Sequence, residues 1–170
     1  MVEMHLAAVR VELETNNPVV LLQEAAGAKR TLPIFIGAPE ATAIAFAIQG
    51  VATSRPLTHD LFRDVLAVLG VTVERVVITE LREGTYYAEL HLVHGGRPQI
   101  VSSRPSDAIA LAARTGATIF AEDELIDAEG VRLPAEEDEG DDDLAPERQD
   151  EIVTEFKQFI DGIRPEDFSS

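Results

Sequence analysis

Three short stretches hold residue types able to do chemistry: Glu40 just after Gly37 and Pro39, the string Arg55-Pro56-Leu57-Thr58-His59-Asp60, and the string Arg104-Pro105-Ser106-Asp107. An arginine beside a proline at a turn can grip a phosphate through two parallel N–H bonds, and a helix N-terminus adds backbone donors for the same anion. A histidine next to a carboxylate can serve as general base or as metal ligand. Together these types suit hydrolysis of a phosphate ester, which needs charge stabilisation at phosphorus, an activated water and often a divalent ion. Each also has an ordinary explanation. Thr58, Ser106 and Asp107 are common helix caps, and Arg55 and Arg104 can close ion pairs with Asp60, Asp107 or Glu40. His59 beside one aspartate is a weak motif alone.

The elements that must carry these residues can be read from periodicity. Residues 5–13, 19–24 and 31–36 read as three strands with short links, an antiparallel meander in which Val9, Val11 and Leu13 share a face. Gly37 breaks the pattern, Pro39 and Glu40 suit a first helical turn, and Ala41 to Gln49 predicts a helix buried on most sides and ended by Gly50. A second helix is predicted with Thr58 as N-cap and Leu61, Phe62, Val65, Leu66 and Leu69 as its apolar stripe, stopped at Gly70. Residues 71–80, 85–93 and 98–102 predict three further strands, followed by a helix from Ala108 to about Arg114 and a short strand over Thr118-Ile119-Phe120. Ala43-Ile44-Ala45-Phe46-Ala47 is echoed by Ala108-Ile109-Ala110-Leu111-Ala112 after a second set of three strands. The echo has two readings, a duplicated β-plus-helix unit or convergence of alanine-rich buried helices. Either gives an α+β fold in two layers, helices packed on mixed or antiparallel sheet.

Composition narrows the function. The chain has 170 residues and no cysteine, which rules out disulfides, thiolate metal sites and cysteine nucleophiles. No apolar run approaches the about 18 residues of a membrane-spanning helix. Glu3 and His5 stand where a secretory signal would be basic then apolar, so a cytoplasmic protein is expected. There is no phosphate-loop lysine motif, no Gly-x-Gly-x-x-Gly, no His-Glu-x-x-His and no nucleophile elbow, so no organic cofactor is expected. His91 and His94, at a strand end beside a glycine turn, fit a surface strand better than a metal site. The net charge of −17 is uneven: twelve acidic and ten basic side chains up to residue 120, nineteen and four thereafter. The body is therefore near neutral, and repulsion of a polyanion would come from the tail, which can also serve solubility. The expected organisation is a domain over 1–133, an acidic linker over 134–149 and, over 150–170, an amphipathic helix with Ile152, Phe156, Phe159 and Ile163 on one stripe, and a tail.

Leu32-Pro33-Ile34-Phe35-Ile36-Gly37, Glu40 to Ala45, Arg55 to Leu61 and Arg104 to Leu111 resemble, in content, order and spacing, the bifunctional nuclease family. The likeness covers about residues 3–133, and the closing segment with Phe156-Lys157-Gln158-Phe159 and Arg164-Pro165-Glu166-Asp167-Phe168 is similar to the actinobacterial branch. The resemblance implies an α+β homodimer, with no membrane association, that hydrolyses phosphodiester bonds of DNA, RNA or both. On that expectation His59, Asp60, Arg55 and Arg104 form the catalytic set, Thr58 and Ser106 contact substrate, and Asp107 and Glu40 hold Mg2+ or Mn2+. Many members carry an aspartate two places before the arginine of the last motif. Here that place is Ser102, so a ligand supplied from it would be missing. Two rival readings use the same residues: a dimeric regulatory or scaffold protein whose motifs cap helices, and a binder of small anions without turnover.

Overall fold

The computed structural model describes residues 1–12 and 16–132. The linker and terminal helix expected from 134 onward lie outside the described residues.

Seven strands form a single sheet: β1 (Val2–Val11), β2 (Pro18–Glu24), β3 (Thr31–Phe35), β4 (Val71–Arg82), β5 (Thr85–His94), β6 (Arg97–Ser103) and β7 (Thr118–Ala121). Their order across the sheet is β3-β2-β1-β7-β4-β5-β6. Every neighbouring pair is antiparallel except β4 and β7, which run parallel. Two three-stranded meanders thus flank the short β7, and each meander is followed by a helix. The α+β class expected from the sequence is what forms, and its order of three strands then a helix occurs twice.

Bulges interrupt strict alternation in β1 and β4. The pairing of β1 with β2 shifts between Leu6 and Ala8, and that of β4 with β5 shifts between Val73 and Arg75 and again between Ile78 and Glu80. One extra residue at each shift restores parity, so Met4, Leu6 and Val9 share a face, as do Val73, Val76 and Ile78. These residues join Val20, Leu22, Leu32, Ile34, Ala88, Leu90 and Ile119 in one core.

The helices are α1 (Ala38–Gln49), α2 (Thr58–Val68), α3 (Pro105–Thr115) and α4 (Asp123–Glu129). The third is the central one: Ala108, Ile109, Ala110, Leu111 and Ala112 are all essentially inaccessible. Its small side chains let α1 and α2 approach closely, and both pack against it. Pro105 opens it and Gly116, at φ 75°, closes it in the left-handed conformation that disfavours a side chain. Thus α3 starts three residues before the expected Ala108.

The start of α2 differs from the expected one. Thr58 is the first helical residue of α2 rather than its cap; the preceding Leu57 takes the cap position, and the Asp60 carboxylate accepts the Leu57 N–H at 3.0 Å. Of the α2 stripe only Leu66 is buried, while Leu61, Phe62, Val65 and Leu69 are exposed. Periodicity reports an apolar face, not what covers it. Likewise α1 buries Ala41, Ile44 and Phe46 but leaves Ile48 exposed.

The short α4 had no expectation. Its Leu125 and Ile126 enter the core, and Val131 behind it bridges to Thr31 at the start of β3. Arg30 ties the same region together. It meets the buried Glu24 at 2.7 Å and Asp127 of α4 at 2.7 Å.

Candidate functional site

The N-termini of α1, α2 and α3 converge, and each brings an acidic residue in its first turn: Glu40, Asp60 and Asp107. Asp107 is the hub. Its Oδ1 lies 3.0 Å from His59 Nε2, and Arg104 donates Nε to its Oδ2 at 2.7 Å and Nη2 to its Oδ1 at 3.1 Å. Arg104 also reaches across to α1, where its Nη1 stands 3.0 Å from Glu40 Oε1. Glu40, His59 and the Arg104–Asp107 pair, from three separate stretches of the chain, therefore form one continuous polar cluster.

Exposure grades across it. The His59 side chain is 12% exposed and Glu40 18%, Asp107 is 29% exposed, and Arg104 is 66% exposed. The cluster is a shelf with its cation on the solvent side. Burial pushes the Asp107 carboxyl up, but hydrogen bonds from Arg104 and His59, with their charge, outweigh it and hold the group below its ordinary value of 3.8. Asp107 in turn raises Arg104, through its hydrogen bond first and its charge second.

An ionised Asp107 fixes what His59 can do. With the proton on Nε2 pointing at the carboxylate, Nδ1 is left with a lone pair and becomes the basic atom. A carboxylate that orients an imidazole in this way also stabilises the imidazolium that forms when Nδ1 takes a proton.

The other expected residues lie elsewhere. Asp60 turns away from His59 and pairs with Arg114 Nε at 2.6 Å. Burial raises its pKa, yet the Arg114 and Leu57 hydrogen bonds bring it below the ordinary value. Arg114 is only 4% exposed and donates Nη1 to Ala110 O at 3.0 Å, so the pair braces α2 against α3. Arg114 was not singled out in the sequence. The available signal was its place two turns after Asp107, on the same face of α3. Ser106 is buried and Thr58 exposed. Arg55 is exposed in the segment leading into α2 and has no side-chain ion pair among the described residues. Ser102 lies on β6 opposite Glu89, with the parity that points away from the core face.

Among the described residues no group of three or more His, Asp and Glu side chains is placed to hold a metal ion. Glu40 and Asp107 are the two acids of the cluster, and both already face one guanidinium. A second polar group lies on β4 and β5. There His91 stands 3.1 Å from Arg75 Nη2 and 3.2 Å from Glu89, across from the helix layer's polar cluster by strand parity. Among the described residues, no helix is long and apolar enough to cross a membrane.

Two Mycobacterium tuberculosis proteins, one from strain H37Rv and one from strain CDC 1551, are each 45% identical to this chain over 168 residues. The alignments cover 99% of this chain and 98% of each relative, and both relatives are described as uncharacterized. A family profile described as the bifunctional nuclease domain matches residues 20–134. That span contains Glu40, His59, Arg104 and Asp107, the helices that carry them and every strand except β1 and the first residues of β2, so the chain belongs to the bifunctional nuclease domain family.

Proposed function

We propose that the protein is a phosphodiesterase acting on nucleic acid, with the shelf formed by His59, Asp107 and Arg104 as its active centre. The observation that carries this reading is the Asp107 bridge. One carboxylate holds both a histidine by Nε2 at 3.0 Å and an arginine whose guanidinium is two-thirds exposed. Arg104, with Arg55 beside the α2 terminus, takes the non-bridging oxygens of the phosphate and offsets the charge that builds there. His59 Nδ1 takes a proton from the attacking water as its oxygen bonds to phosphorus. The bond to the leaving oxygen breaks, and that oxygen is protonated from solvent. Asp107 stabilises the imidazolium throughout.

The family's description as a nuclease supports the substrate class. DNA, RNA or both fit the same chemistry. Mg2+ or Mn2+ would have to arrive with the substrate phosphate, because the two carboxylates of the cluster are shared with Arg104 and do not fit a metal cage.

The test is hydrolysis of single-stranded DNA and RNA by the purified full chain, with and without Mg2+ or Mn2+. His59→Ala should lower kcat by about 10²-fold or more, the usual worth of a general base. Equal rates for wild type and variant would remove the assignment and point to a contaminating enzyme.

A second reading, a dimeric protein built for regulation or scaffolding, is favoured by one observation. Leu61, Val65, Val68 and Leu69 make an exposed apolar stripe along α2, with exposures from 45% to 87%. Such a stripe suits an isologous contact with a second copy, and a homodimer is compatible with either function.

A further inference from the structure

The guanidinium that would bind phosphate is already shared with two acids, and the two are not equivalent. Arg104 uses Nε and Nη2 toward Asp107, a side-on grip that fixes the guanidinium plane. The remaining edge, between Nη1 and Nη2, is the one bidentate face left for a tetrahedral anion. Glu40 Oε1 sits 3.0 Å from Nη1, one of the two nitrogens of that edge. Glu40 is mostly covered and Arg104 mostly open, so the guanidinium stays within reach of an anion from solvent while the carboxylate is beside it.

The neighbouring glycine shows why Glu40 can take this position. A Cβ added at Gly37 would strike Glu40 Oε2. The carboxylate is folded back over the start of α1, into space that a Cβ at residue 37 would contest. Gly37 has φ −74° and ψ 155°, values any residue adopts, so its backbone gives no reason for glycine.

From these observations we infer that Glu40 is a built-in competitor for the phosphate site, held on the Arg104 fork by the room at Gly37. The inference rests on the reading of Arg104 as a phosphate ligand and adds how that ligand is regulated. An incoming phosphate displaces or repels a carboxylate, so resting affinity is held down and the shelf discriminates against weakly charged anions. Glu40 is a positioning residue for Arg104, and Gly37 acts through Glu40.

The experiment is calorimetric titration of the full chain with inorganic phosphate, for wild type, Glu40→Gln, Gly37→Ala and Arg104→Ala. Removing one negative charge beside the fork should tighten phosphate binding about tenfold in Glu40→Gln. Gly37→Ala should shift affinity in the same direction, and Arg104→Ala should abolish binding. If Gly37 acts through Glu40, Gly37→Ala should add nothing in a Glu40→Ala background, a coupling that a purely structural role would not produce. Unchanged or weaker binding in Glu40→Gln overturns the proposal, as does the absence of binding in every variant. Cleavage assays separate this from the phosphodiesterase reading. Tighter phosphate binding without hydrolysis would remove only the enzyme, and hydrolysis with unchanged Glu40→Gln affinity would remove only the competitor.

Discussion

Asp107 decides the protonation chemistry of the shelf. It is partly covered, it faces His59 and Arg104, and its carboxyl is held below the ordinary range in spite of burial. Replacing it with asparagine keeps the shape but removes the charge that stabilises an imidazolium. Asp107→Asn should therefore lower kcat by about 10²-fold or more. Its effect should overlap with that of His59→Ala, the double variant being little worse than either single one, because residues acting as one unit are not additive. Steady-state kinetics on a short single-stranded substrate would check this, and additive losses would break up the unit. Asp60, although next to His59 in the chain, belongs to a different interaction. Successive helix positions point about 100° apart, so His59 meets Asp107 while Asp60 meets Arg114.

At the scale of elements, α2 has two working faces. One carries His59, Asp60 and the buried Leu66 toward α3; the other presents Leu61, Val65, Val68 and Leu69 to solvent. If the outer face pairs two copies, Val65→Asp should shift the full chain from dimer to monomer by sedimentation or light scattering. Melting should change little at matched monomer concentration, since Val65 is 45% exposed in the single chain. A wild type that sediments as a monomer at every concentration would leave the stripe without this role. The inner face has an independent brace in Asp60 and Arg114, so the orientation of α2 does not hang on the reactive histidine.

Across the sheet and helices together, stability rests on the core around α3 and on one charged tie at its margin. Glu24 is 3% exposed on β2 and is lowered from its ordinary value of 4.5, first by the Arg30 side-chain hydrogen bond and then by the Arg30 backbone N–H. A carboxyl with a depressed folded-state pKa contributes stability that is complete above the unfolded value and fades as pH falls through the folded one. Glu24→Gln should therefore melt below wild type at neutral pH, and the gap should close as pH drops below 4.5. Melting curves across that range would test it; a gap constant with pH would show that the tie matters only through its shape.

Much of this fold was legible in the residues themselves. Strand and helix order as far as β7, the glycine stops at Gly50 and Gly116, the repeated three strands and a helix, and the three clusters of polar residues at helix starts all follow from local periodicity and backbone preference. The partial alternation of residues 5–13 was visible too, but its meaning, a bulge in β1, required the partner strand to count against. Periodicity alone could not decide which apolar stripe is covered: α2 has a regular one that stays open, while the alanine-rich stretch of α3 is sealed. Pairing between helices was equally out of reach, since the sequence puts Asp60 beside His59 and the fold gives His59 to Asp107 and Asp60 to Arg114. Local structure is set by interactions within a few residues, and those the chain carries in its order. Which carboxylate meets which cation across about 50 positions depends on helices packing in three dimensions, and only the assembled tertiary structure supplies that distance.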